Sequence, residues 1–295
     1  MKKIKFIFLV LLCYIFLLTG CTCKIVDPEK IKTQFAQVND TTIGYKILGS
    51  GYPLVMITGY SATMDMWDAR VLNKLAQHYK VIIFDNRGMG ASTASNKDFS
   101  IKLFAEDTAG LLKALNIKKA NILGFSMGTN IALELTLKYP DMVNKLILYA
   151  GDCGGKESVR PTPENMQKLT DTSGTPEERG KRLLGLLLPE KWLEDNPDPR
   201  KYLPKPTENI SLAVVDRQTK AMITWEGCYG GLSKIIQPVL LITGTEDIIR
   251  PPGNSLVLAN RIPLTWLVQI KSGGHSLMYQ YPKKFSRVIL TFLDD

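Results

Sequence analysis

Three short stretches, far apart along the chain, hold side chains that could share one reaction: Gly124-Phe125-Ser126-Met127-Gly128, Thr243-Gly244-Thr245-Glu246-Asp247 and Ser272-Gly273-Gly274-His275. A serine hydroxyl is a weak nucleophile until a neighbouring base accepts its proton, and the base needs a carboxylate to fix its tautomer. Few side chains can be the base, because the chain has two histidines. His78 stands in the polar run Gln77-His78-Tyr79-Lys80 at the end of a predicted helix, where a solvated imidazole is the plain expectation. His275 follows a predicted strand, in a glycine-rich loop able to swing the ring over the C-terminal edge of a parallel sheet. Glu246 and Asp247 both follow a buried strand, and either fits the orienting role or the duller one of capping the next helix. Around Ser126, two glycines suit a strained strand-to-helix turn, since residues without a Cβ let neighbouring elements pass close to the nucleophile. The hydroxyl would then stand at a helix N-terminus, where backbone N–H groups favour developing negative charge.

The elements that must carry these residues follow from apolar spacing. Residues 33–38 and 41–48 read as two strands joined by a polar Asn39-Asp40 turn, a hairpin. Strands are also predicted over 53–58, 81–84, 143–150, 238–243 and 265–270, and in the apolar run that leads into Ser126. Between them, helices are predicted over 67–79, over 99–115 with Ser100 as its cap, behind Ser126 until Pro140, from Pro251-Pro252 to about 261, and over 282–293. Strands alternating with helices imply a mostly parallel sheet covered on both faces. The rhythm breaks over 152–232, which holds eight of the sixteen prolines. That stretch reads as an inserted, mainly helical cap with helices near 176–188 and 209–225.

Composition narrows the class. With 295 residues and 45% hydrophobic content the chain can bury one substantial core. The net charge of +9 falls to about +6 without Lys2, Lys3 and Lys5, and the basic residues are scattered rather than striped, so nucleic-acid binding is not indicated. Those three lysines open a basic segment followed by an apolar run over 6–18, shorter than the roughly 20 residues that span a bilayer. The run reads as an export signal, and Leu18-Thr19-Gly20-Cys21 at its end resembles a bacterial lipobox, whose cysteine is lipidated after cleavage. Acyl chains on Cys21 would hold the protein to the outer face of the cell membrane, where an anionic surface suits its charge. Cys23, Cys153 and Cys228 remain, and a Cys153–Cys228 disulfide is chemically allowed in that compartment. No Cys/His cluster has metal-ligand spacing.

Several motifs in register, from about residue 41 to 292, resemble the α/β-hydrolase superfamily. Asp85-Asn86-Arg87-Gly88-Met89-Gly90-Ala91-Ser92 is similar to its loop after the fourth strand, Gly124 to Gly128 to its nucleophile elbow, and 238–247 to its acid strand. Gly274-His275 followed by Tyr281-Pro282 is similar to its histidine loop and last helix. Trp225, ahead of Leu232 and Ile235, resembles the return from the cap in members related to enol-lactonases, cofactor-free haloperoxidases and carboxylesterases. The resemblance implies an α/β-hydrolase fold with a mostly parallel eight-stranded sheet, helices on both faces and an inserted helical cap. Its divisions are a signal over 1–20, a tether over 21–32, core over 33–151 and 233–295, and the cap over 152–232.

The resemblance also implies roles. Ser126 is the nucleophile, His275 the base and Asp247, rather than Glu246, the orienting acid, with the N–H groups of Met127 and Tyr60 as the oxyanion hole. The implied activity is hydrolysis of a small carboxylic ester or lactone through an acyl-enzyme, with no metal or organic cofactor. The same triad acting on a carbon–carbon bond, an amide or a peroxy acid, and a ligand-binding lipoprotein without turnover, are the alternatives. Three positions depart from the family pattern: Thr58-Gly59 where His-Gly is usual, Thr129 where many members have glycine, and Gln280 where an acid is common. Asp85, Arg87 and Ser92 are expected to order backbone beside the site. Leu183, Leu184, Leu186, Leu187 and Leu188 either line an acyl pocket or pack the cap, and Met64, Met66 and Trp67 are pocket wall or core.

Overall fold

The structure, a computed structural model, describes residues 28–204 and 210–295, so the predicted signal and Cys21 lie outside the described residues. Eight strands form one sheet: β1 (Gln34–Val38), β2 (Thr41–Leu48), β3 (Pro53–Ile57), β4 (Lys80–Phe84), β5 (Ala120–Phe125), β6 (Val143–Tyr149), β7 (Val239–Gly244) and β8 (Thr265–Ile270). Their spatial order is β1-β2-β4-β3-β5-β6-β7-β8. The hairpin pairs Val38 with Thr41, β2 runs antiparallel to β4, and every later pairing is parallel. The central strands are apolar on both faces because both are covered: β7 is buried at all six positions.

Among the described residues three helices precede β6: α1 (Ala69–Ala76), α2 (Ile101–Ala114) and α3 (Met127–Lys138). Four lie between β6 and β7: α4 (Pro163–Thr170), α5 (Pro176–Leu187), α6 (Glu190–Asp195) and α7 (Leu212–Ile223). Then come α8 (Gly253–Ala259), α9 (Leu277–Gln280) and α10 (Pro282–Asp294). One face of the sheet packs on α1 and α10 through Val71, Leu72, Leu75, Phe285 and Ile289, the other on α2 and α3 through Phe104, Leu111, Ile131 and Leu135. This is the expected eight-stranded, mostly parallel sheet between helical layers.

Caps explain where elements start. Ser100 accepts the Leu103 N–H at 3.0 Å, as its position foretold. Asp68 accepts from Arg70 and Val71 N–H, so α1 begins at Ala69 and not at 67 as expected. Helices α4 and α6 were not anticipated. Neither buries a residue fully, and at eight and six residues each is too short for its apolar spacing to stand out from a loop. Arg87, wholly buried, binds Asp107 through two nitrogens at 2.6 and 2.7 Å and reaches Asp40 at 3.0 Å. It holds the Asp40 carboxyl well below the usual carboxylate range, whereas burial pushes Asp107 up. Asp85 accepts from the Met64 and Ala91 N–H groups, and the Ser92 hydroxyl bridges Asp85 O and Gly44 N–H. Asp85 and Ser92 order backbone, as expected, whereas Arg87 ties side chains together instead.

Candidate active site

Ser126 joins β5 to α3 with φ 55° and ψ −117°, in the half of conformational space that favours glycine. A non-glycine residue held there costs on the order of 1–3 kcal/mol, so its surroundings must dictate the conformation. They do so by hydrogen bonds and by close approach. The Ser126 N–H donates to Tyr149 O and the Thr129 N–H to Ser126 O, both at 2.9 Å. A Cβ on Gly124 would lie 2.3 Å from Gly128 O, and one on Gly128 would lie 2.3 Å from Ile57 O. Side chains at either glycine would force α3 away from the sheet.

On the opposite loop, His275 Nδ1 lies 2.9 Å from Asp247 Oδ2, with both side chains buried. The other carboxylate oxygen of Asp247 accepts the N–H groups of Ile249 and Arg250 at 2.9 and 2.8 Å. With a carboxylate as acceptor, Nδ1 bears the ring proton and Nε2 has the lone pair. Glu246 is exposed, and His78 is exposed at the end of α1. Two further residues fix the histidine loop. The Tyr149 hydroxyl donates to His275 O at 2.8 Å and accepts the Met278 N–H at 3.2 Å, and burial pushes its pKa well up. Gln280 accepts the Gly274 N–H at 2.8 Å and donates to Ser272 O at 3.2 Å. Tyr149 carries no local signal in the sequence that marks this task. Its role appears only when β6 is set beside β5.

Ser126 and His275 border one cavity of about 620 Å³, and Asp247 stands behind the imidazole. Thr58, Gly59 and Tyr60 border it too, and a Cβ on Gly59 would lie 3.1 Å from Ser126 Cβ, so this loop passes directly beside the serine. Met127 is the first residue of α3, fully buried. The Thr58 hydroxyl accepts Asn86 Nδ2–H at 3.2 Å, a local bond that steadies the loop without the family's histidine. From the inserted helices, Gln218 Oε1 accepts the Ser61 N–H at 2.9 Å and Thr219 Oγ1 lies 2.7 Å from the Tyr60 hydroxyl. Met66, Trp67, Leu183, Leu184 and Leu187 line the cavity, whereas Met64, Leu186 and Leu188 are buried. Cys153 and Cys228 are free thiols joined through backbone, Cys228 N–H to Cys153 O at 2.8 Å, and burial pushes both thiols up.

Residues 52–282 match the alpha/beta hydrolase fold family. An uncharacterized protein of Mycobacterium tuberculosis is 27% identical over 279 residues, covering 88% of this chain and 81% of that one. Among solved structures, an alpha/beta hydrolase fold protein from Chitinophaga pinensis superposes with a TM-score of 0.77 at 26% identity, over 92% of this chain and all of that one. The enol-lactonase of Burkholderia xenovorans gives a TM-score of 0.77 at 22% identity, over 89% of this chain and 100% of its own.

Thr129, one of the departures, is answered by a partner. Its hydroxyl donates to Gly124 O at 3.0 Å, and its side chain occupies the space above Gly151, where a Cβ would lie 2.2 Å from Thr129 Cγ2. Gly151→Ala is therefore expected to destabilise the fold by about 1–3 kcal/mol through overpacking. In a Thr129→Gly background most of that penalty disappears, and a double-mutant cycle by urea unfolding reads the difference. Additive penalties would show that the two positions do not compete for space. This compensated change lies within a match that runs over most of the sequence and accompanies the sheet, elbow and histidine loop described above: the chain belongs to the α/β-hydrolase fold family.

Proposed function

We propose that this protein is a serine hydrolase that cleaves a small carboxylic ester or lactone. The observation that supports it best is the imidazole of His275, tied by Nδ1 to a buried carboxylate on a cavity wall shared with Ser126. In the proposed reaction His275 Nε2 takes the Ser126 proton as Oγ attacks the carbonyl carbon. The oxyanion is met by the N–H groups of Met127, at the start of α3, and of Tyr60. Collapse of the tetrahedral intermediate breaks the bond to the leaving oxygen, which receives the proton from His275. Water then enters by the same proton path, attacks the acyl-enzyme and restores Ser126. Asp247 keeps its hydrogen bond to Nδ1 throughout and stabilises the imidazolium. An ester or lactone suits this set because a single proton from His275 releases the alcohol.

We also propose that Cys21 is lipidated, which tethers the site to the outer face of the cell membrane. The support is the Leu18 to Cys21 motif after its apolar run; among the described residues no helix is long and apolar enough to cross a membrane. The full-length protein is expected in the detergent-rich phase on Triton X-114 partition, and Cys21→Ser in the aqueous phase or retained as precursor. A mature Cys21→Ser protein partitioning like the parent would refute the anchor.

On chromogenic esters, Ser126→Ala is expected to lower kcat/KM by on the order of 10⁴-fold or more. Asp247→Asn, which leaves the ring in place but disturbs its tautomer, should lower kcat by about 10³-fold or more. Turnover of Ser126→Ala equal to that of the parent would sink the proposal.

A further inference from the structure

We propose that the substrate carries an unbranched apolar chain of medium length, about six to ten carbons, seated among the helices between β6 and β7. The bond cleaved rests on the hydrolase reading above; the chain pocket stands on its own geometry. Helix α5 turns Leu183, Leu184 and Leu187 to the cavity, and Leu186 is buried. Met166 of α4 and Met222 of α7 continue the same wall, a run of flexible aliphatic side chains that moulds to a methylene chain. The wall begins at the reacting groups. The Ser276 N–H donates to Leu187 O at 3.0 Å, and a Cβ on Gly274 would lie 2.7 Å from Pro189 Cδ, so the end of α5 rests on the histidine loop.

Volume, rather than charge, bounds the chain further. Of the arginines on the lining, Arg250 lies 2.6 Å from Asp152 Oδ2, Arg160 donates to Gly155 O and Arg179 to the carbonyls of Thr172 and Gly174. Arg250 is thus paired with a carboxylate, whereas Arg160 and Arg179 bond neutral carbonyls and keep their charge, so it is the apolar wall that defines the chain. At roughly 30 Å³ per methylene- or water-sized group, a cavity of about 620 Å³ admits about twenty such groups, enough for an ester, its alcohol and a medium chain.

The test uses p-nitrophenyl esters from acetyl to dodecanoyl, then alkyl acetates of the same lengths to place the chain on the alcohol side. In one of the two series kcat/KM should rise about three- to fourfold per methylene up to eight or ten carbons. Leu184→Asp should cut the ratio of octanoyl to acetyl turnover, or of octyl to methyl, at least tenfold. In a second arm, methyl ketones of increasing length displace a fluorescent apolar probe from folded Ser126→Ala protein, with affinity rising along the series. Flat profiles in both arms overturn the proposal. Rising affinity without hydrolysis of any ester upholds the chain pocket and refutes the hydrolase.

An independent observation concerns Gln218, and we infer that it is a positioning residue for the loop beside Ser126. Its side chain is fully buried, Oε1 holds the Ser61 N–H, and among the described residues Nε2 has no partner. A buried amide with an unpaired N–H₂ is unfavourable, so packing alone does not favour glutamine here. Its acceptor steadies Ser61, which has φ 53°, next to the Tyr60 N–H. Gln218→Met should lower kcat tenfold or more per probe-titrated site with KM changed less than threefold, and speed deuterium exchange over residues 58–62. Gln218→Glu keeps the acceptor and should recover most of both. Unchanged exchange and kcat in Gln218→Met, at unchanged Tm, would overturn the inference.

Discussion

The left-handed backbone of Ser126 is the constraint on which the remainder of the site depends. A helix can start directly beneath the serine only if the chain reverses within one residue, and that reversal is stable only if α3 can press against β5 and β3. Gly124 and Gly128 permit the approach, and the Ser126 N–H bond to Tyr149 O locks it. The strain, on the order of 1–3 kcal/mol, is small against the burial of the apolar strands on both sides, so the sheet can sustain it. In return Ser126 stands at the N-terminus of α3, on the wall of the cavity.

The surrounding loops are tied to one another rather than merely near one another. Tyr149 meets the elbow through its carbonyl and the histidine loop through its hydroxyl, and its ring stacks on Phe125 at 4.7 Å. Phe125 in turn lies 5.1 Å from the His275 ring. The inserted helices join at two more points, α5 on the histidine loop through Leu187 and α7 on the Thr58 to Ser61 loop through Gln218. A shift of those helices is thereby felt on both sides of Ser126.

Much of this was legible in the sequence where local chemistry decides it. Apolar runs marked the strands, Ser100 marked a helix start, and the two glycines around Ser126 marked a close approach that the contacts bear out. Choices that depend on which element lies beside which were not legible. Glu246 and Asp247 are equivalent by pattern, and only the loop after β7 turns one outward and the other to His275. Tyr149 and Gln218 look like any strand tyrosine and helix glutamine, because their partners are distant in sequence. Thr129 reads as a misfit until Gly151 is seen beneath it. Helices α4 and α6 escaped notice because eight and six residues are too few for an apolar period to declare itself.

The central claim, that Ser126 is a nucleophile activated by His275, is tested most directly by covalent capture. The folded protein is treated with a fluorophosphonate and the adduct located by peptide mass spectrometry, since phosphonylation needs an activated hydroxyl beside an oxyanion site. The account predicts one adduct per chain, on Ser126. No adduct on the folded protein, or an adduct on another residue with Ser126 unmodified, would contradict it.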